Sequence, residues 1–160
     1  MTIKVGDKMP SGTFTQITKD GPQKISADEY FKGRKVVLFS VPGAFTPTCD
    51  AKHLPGFVEK AAEIKGKGVA AVACLSVNDA FVMKAWGKAQ NTDGKVDMLA
   101  DGNADYTKAL GLELDATGFG MGIRGQRFSV VVDNGVVKQL NIEPKGEFKV
   151  SSAEHVLTQL

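Results

Sequence analysis

Cysteine is scarce in this chain. Of 160 residues only Cys49 and Cys74 carry a thiol, at a spacing that is neither C-x-x-C nor part of a ligand cluster. This excludes a disulfide scaffold and argues against structural zinc, and no metal is needed to explain the chain. A long apolar run is also lacking, and the opening Met1-Thr2-Ile3-Lys4-Val5-Gly6-Asp7 has no basic-then-apolar pattern of a signal peptide, so a cytoplasmic protein without a membrane partner is expected. Nor is there a surplus of one charge. Twenty Lys and Arg against eighteen Asp and Glu leave +2, the basic residues are dispersed, and no aromatic-interleaved basic stripe is present, which makes nucleic acid a poor partner and small substrates better ones.

What is present fits one compact domain over residues 1–160, with 42% hydrophobic and 24% charged residues. Between residues 35 and 143 apolar strand-like runs alternate with amphipathic segments, the pattern of an α/β domain whose helices cover a central sheet. Strands are expected over 35–41, 69–77 and 96–100, with helices over 54–65, from Asn78-Asp79 to about 90, over 105–110 and over 152–160. Pro55 is expected to bend the first of these helices. The glycine-rich stretch 115–125 reads as a loop, and Asn134-Gly135 between two β-rich runs is a hairpin signature, because Asn-Gly tolerates the positive φ of a tight turn.

The chemically informative stretch is Pro42-Gly43-Ala44-Phe45-Thr46-Pro47-Thr48-Cys49, where a buried strand hands over to a helix. Thr46 is suited to cap that helix and Pro47 to occupy its first position, which places Cys49 in the first turn at the positive end of the dipole. A helix N-terminus or a nearby cation favours the thiolate, the nucleophilic form. Asp50 opposes this with its own charge, so an arginine is expected to approach in the fold, although composition does not say which. On these residues alone a functional Cys49 is favoured over an inert buried cysteine, while Thr46 also reads as a plain N-cap and Pro42 and Pro47 as turn punctuation.

The run Pro42 to Cys49, followed by His53-Leu54-Pro55-Gly56-Phe57, resembles the active-site signature of the peroxiredoxins, in their type II or peroxiredoxin-five-like branch. The likeness extends to Val72-Ala73-Cys74-Leu75-Ser76-Val77-Asn78-Asp79-Ala80-Phe81-Val82, Trp86-Gly87, Leu99-Ala100-Asp101 and Arg127-Phe128-Ser129, and so spans nearly the whole chain. It implies a thioredoxin-like fold, a central mixed β-sheet flanked by helices, and a thiol peroxidase that needs no cofactor and reduces hydrogen peroxide and alkyl hydroperoxides. On the same resemblance Cys49 matches the peroxidatic cysteine that becomes a sulfenic acid. Thr46 matches the threonine that binds the peroxide oxygens, Pro42 the proline that shields the thiolate, and Arg127 the arginine beside the thiol. Arg124 is its rival by position, and the Arg-Phe-Ser context favours Arg127.

The sulfenic acid needs a second thiol. Cys74 lies inside the strand over 69–77 and reads as a small core residue, and the region 149–153 holds no cysteine where some family members carry a resolving one. A one-cysteine cycle is therefore expected, closed by glutathione with glutaredoxin or by thioredoxin. His53, four residues after Cys49, can share its helical face and tune the thiol, or can be a hydrogen-bonded structural residue. Phe45 and the 118–122 loop are candidate parts of a homodimer interface. Two other readings compete. A disulfide oxidoreductase would need C-x-x-C, and positions 46 and 52 are Thr and Lys. A redox-sensing module would relay Cys49 oxidation to a protein partner.

Overall fold

The computed structural model describes residues 1–160 and is built on a seven-stranded mixed sheet. In chain order the strands are β1 (Thr13–Thr18), β2 (Gly21–Ser26), β3 (Lys35–Ser40), β4 (Ala71–Ser76), β5 (Asp97–Ala100), β6 (Glu113–Asp115), β7 (Ile123–Gly125), β8 (Phe128–Asp133) and β9 (Val136–Ile142). The order across the large sheet is β2-β1-β5-β4-β3-β8-β9, and β6 pairs with β7 apart from it. β3, β4 and β5 run parallel, whereas β8 pairs antiparallel with β3 and with β9.

The central strands read as unbroken apolar runs because both of their faces are covered. Along β3, Val36 and Leu38 point into a core shared with Tyr30 and Phe31 of α1 (Ala27–Phe31) and Tyr106 and Leu110 of α4 (Asp105–Leu110). Val37 and Phe39 point the other way. There they meet Leu54, Phe57 and Ile64 of α2 (Leu54–Lys65), Met83 and Trp86 of α3 (Ala80–Ala89), and Val156 of α5 (Ala153–Leu157). Cys49 and Cys74 both belong to this second core. Asp79 and Ser152 cap α3 and α5, each accepting a backbone N–H of the first turn. Asn134 and Gly135 take φ of 49° and 78° in the β8–β9 turn. No helix is long and apolar enough to cross a membrane.

Three features depart from the sequence reading. The first 34 residues, where no element was expected, form the β1–β2 hairpin and α1. β2 is an exposed edge strand containing Pro22, and in β1 only Phe14 is fully buried, so neither shows strong alternation. The stretch 115–125 is not a plain loop, because Glu113–Asp115 and Ile123–Gly125 pair around a 3₁₀ turn at Thr117–Phe119. Pro55 does not bend a helix midway. It sits in the first turn of α2, directly after a π-helical turn at Cys49–His53 in which Leu54 N–H donates to Cys49 O.

Candidate active site

The chain leaves β3 through a loop at 42–46 and turns helical at Pro47. Phe45 holds a left-handed φ of 61°, rare for a residue with a large side chain, and stands half exposed at 52%. Asn78 steadies the loop by accepting Ala44 N–H at 3.0 Å, and Ser76 Oγ donates to the same Asn78 oxygen at 2.6 Å. Thr46 begins the helix through its backbone, whose carbonyl accepts Asp50 N–H at 2.8 Å. Its hydroxyl does not cap the helix as the sequence suggested. It donates to Gly43 O at 2.7 Å, because the tight turn at Phe45 brings that carbonyl within reach.

Cys49 opens the π-turn and is fully buried. Arg127, the residue before β8, lies across it: Nη2 donates to Cys49 Sγ at 3.0 Å. The same guanidinium uses Nη1 to donate to His53 Nδ1 at 2.8 Å, while His53 Nε2 meets Ser151 O at 2.9 Å. A guanidinium only donates and a carbonyl only accepts, so the imidazole is neutral, with its proton on Nε2. Burial, reinforced by the Arg127 charge, pushes the His53 pKa down to about 3 against the upward pull of the Ser151 bond. Phe148 closes this corner, its ring centroid 4.9 Å from that of His53 and 5.8 Å from Arg127 Cζ.

Arg124 is not the arginine at the thiol. Its Nε donates to Met121 O at 3.0 Å and its Nη1 reaches Pro42 O at 3.4 Å, tying the β6–β7 segment to the loop before the helix. Asp50, which sequence reading set against the thiolate, is turned toward α3, where Oδ1 accepts Trp86 Nε1 at 2.7 Å and Gln90 Nε2 at 2.8 Å. Cys74 faces the same core as Cys49, opposite Phe39 in the β3–β4 register, and no disulfide joins the two thiols. Burial pushes the Cys74 thiol well above its ordinary value, and Cys49 adds to the rise against the pull of Arg127. Sequence reasoning quoted Trp86 within the resemblance, without linking it to Asp50, and did not single out Gln90, Glu143 or Ser151. Trp86 and Gln90 carried a detectable signal, since residues four apart on a helix face one way. Glu143 and Ser151 carried none, because their partners are backbone groups remote in sequence.

Beside Arg127 opens a cavity of about 360 Å³ whose walls include Pro42, Thr48 and Arg127. No cluster of three or more His, Cys, Asp or Glu side chains is placed to hold a metal ion. One thiol, buried at a helix start and bonded to a guanidinium on a thioredoxin-like sheet, defines a thiol-based redox protein. The Redoxin family model matches residues 4–157, and the chain belongs to that family as a peroxiredoxin, with the type II branch the fitting one. It is 52% identical to "Peroxiredoxin-2E-2, chloroplastic" of Oryza sativa subsp. japonica over 99% of this chain and 73% of that protein. It is 50% identical to "Peroxiredoxin-2D" of Arabidopsis thaliana over 99% of this chain and 98% of that protein. The crystal structure of reduced Prx3 from Vibrio vulnificus in complex with H2O2 superposes with a TM-score of 0.96 at 53% identity, covering 99% of both chains. The Plasmodium falciparum antioxidant protein, described as a 1-Cys peroxiredoxin, gives 0.90 at 28% identity over 96% of both chains. The protein is a thiol-dependent peroxidase.

Proposed function

We propose that Cys49 is the peroxidatic thiol of a one-cysteine cycle, and that Pro42, Thr46 and Arg127 complete its site. The observation that carries this reading is the 3.0 Å hydrogen bond from Arg127 Nη2 to Cys49 Sγ, a charge-assisted contact that favours the thiolate. The thiolate attacks one oxygen of RO–OH, the S–O bond forms as the O–O bond breaks, and the departing RO⁻ takes a proton to leave as ROH. Arg127 is placed to stabilise charge moving onto that oxygen. Thr46, whose own proton is committed to Gly43 O, offers lone pairs to the peroxide O–H. Pro42 lines the cavity wall and excludes water.

The sulfenic acid is then resolved from outside the chain. A thiol RSH attacks Cys49–SOH, giving Cys49–S–SR and water, and a second thiol attacks the outer sulfur, releasing Cys49 and a disulfide. Burial of Cys74 supports an external thiol, and we place glutathione with glutaredoxin, or thioredoxin, in that role. The reading extends to a single cytoplasmic domain that pairs as a homodimer, with exposed Phe45, Phe119 and Ile123 supporting association through the loops around the site.

The test is peroxide consumption with each reductant system. Turnover lost in Cys49→Ser and kept in Cys74→Ser is the expected result. A single oxidation of Cys49 that no thiol system turns over would favour the redox-sensing module instead. Light scattering at micromolar concentration checks the dimer, and cell fractionation the location.

A further inference from the structure

The strand β9 ends at Ile142, and the next residue, Glu143, is a buried carboxylate on which an unusual number of donors converge. Its Oε2 accepts the backbone N–H of Lys149, Val150 and Ser151 at 2.7, 2.8 and 2.8 Å and the hydroxyl of Ser151 at 2.7 Å. Its own backbone N–H donates to Arg127 O at 3.0 Å. Ser151 O in turn accepts His53 Nε2–H, and His53 Nδ1 accepts Arg127 Nη1. The bonds therefore close a ring that leaves Arg127 by its backbone and returns to it at the guanidinium. Glu143 is the residue in which the two arms meet, its backbone N–H holding Arg127 O and its carboxylate holding segment 149–151.

We infer that Glu143 is a positioning residue for peroxide reduction, holding segment 149–151 so that Ser151 fixes the His53 tautomer and His53 aims Arg127 at Cys49. Without the carboxylate, three backbone N–H groups lose their common acceptor and Ser151 O moves from its place. His53 can then turn or take up a proton, and a protonated imidazole repels the guanidinium instead of receiving it. The guanidinium is then free to swing from the sulfur, where a misplacement of about 1 Å costs roughly 10²-fold in rate. Glu143 Oε1 accepts no hydrogen bond from the protein. Glutamine therefore fits the site, with its carbonyl at the Oε2 position and its amide in the place of Oε1, and it keeps all four donors satisfied.

The inference rests on the assignment of Cys49 and Arg127 above, and its test separates the two. In stopped-flow peroxide oxidation, Glu143→Ala is expected to slow the reaction about tenfold and Glu143→Gln to recover most of the rate. Ser151→Ala, which removes one of the four donors, should give a smaller loss in the same direction. In the wild type, ¹⁵N NMR should show His53 neutral with the proton on Nε2 from pH 5 to 8. A folded Glu143→Ala protein with wild-type rate overturns the positioning role, as does a wild-type His53 that titrates within that range. If Glu143→Ala does not fold, Ser151→Ala and the wild-type spectrum decide. Full activity of Arg127→Gln would sink the site assignment itself, whereas a slow Arg127→Gln beside a normal Glu143→Ala would sink only this inference.

Discussion

The indole N–H of Trp86 donates to Asp50 Oδ1 at 2.7 Å, so the residue that follows Cys49 is bound to α3 and not left to face the thiol. Gln90 adds bonds to Asp50 Oδ1 at 2.8 Å and to Asp50 O at 3.0 Å. Together they pin the start of the π-turn, a kind of element that is rare and tied to functional sites. An external thiol cannot reach a fully buried Cys49 unless this turn opens.

Loosening the latch should therefore speed resolution more than oxidation. Gln90→Ala is expected to cost about 1–2 kcal/mol of stability, since it removes hydrogen bonds to a charged acceptor. It should raise the rate of thiol attack on oxidised Cys49 several-fold, with peroxide oxidation changed far less. Denaturant unfolding and rapid-quench mass analysis of the mixed disulfide measure the two effects. An unchanged resolution rate would remove the latch from the cycle.

Removing the guanidinium should act on the opposite half-reaction. Arg127→Gln takes away the donor at Cys49 Sγ and the charge set to meet the leaving oxygen, and mutational losses of single donors of this kind are about 10²–10³-fold. Stopped-flow measurement of peroxide consumption by the wild type and by Arg127→Gln checks this, and Trp86, the only tryptophan, one hydrogen bond from Asp50, is the natural fluorescence probe to try. A loss below tenfold would mean that Arg127 orders the site without taking part in the chemistry.

The sequence was legible where one local signal sufficed. The strand-to-helix hand-over at residues 35–49, the Asp79 cap and the Asn134-Gly135 hairpin all depend on neighbours within a few positions. The resemblance added Arg127, which lies 78 positions from its thiol. What stayed hidden depends on tertiary contact. β1 and β2 gain order by pairing with each other and, through Thr15, with Ala100, and not from their own weak patterning. The direction of the Thr46 hydroxyl depends on the strained turn at Phe45, and the part played by Glu143 on backbone donors that no motif records.

His53 makes stability depend on pH with a definite sign. Its folded pKa is depressed to about 3 by burial and by Arg127, whereas in the unfolded chain it takes its ordinary value near 6.5. Between those values the unfolded chain holds the extra proton, so stability rises with pH and is lost as pH falls through the window. From pH 8 to pH 5 the loss attributable to this residue is about 2 kcal/mol, at 1.36 kcal/mol per unit below 6.5. In His53→Asn, which lacks the titrating group, that part of the slope should vanish. Urea midpoints at the two pH values measure it, and equal slopes in both proteins would show that His53 takes up its proton alike in the folded and unfolded chain, with no depression of its pKa by the fold.

Cys74 should prove dispensable for turnover. It lies opposite Phe39 in the β3–β4 register, fully buried, and burial together with the nearby Cys49 keeps its thiol protonated well above neutral pH. A protonated thiol is a poor attacker of a sulfenic acid, and a strand held on both sides cannot readily swing out to meet one. Cys74→Ala should therefore keep the wild-type turnover with an external thiol. Cys74→Ser should keep it too, at a stability cost of about 1–3 kcal/mol if the new hydroxyl finds no partner. Peptide mapping after one equivalent of peroxide should recover Cys49 as a sulfenic acid or, with thiol present, as a mixed disulfide. A Cys49–Cys74 disulfide in that digest would show that the sheet opens during the cycle, and the one-cysteine mechanism would fall with it.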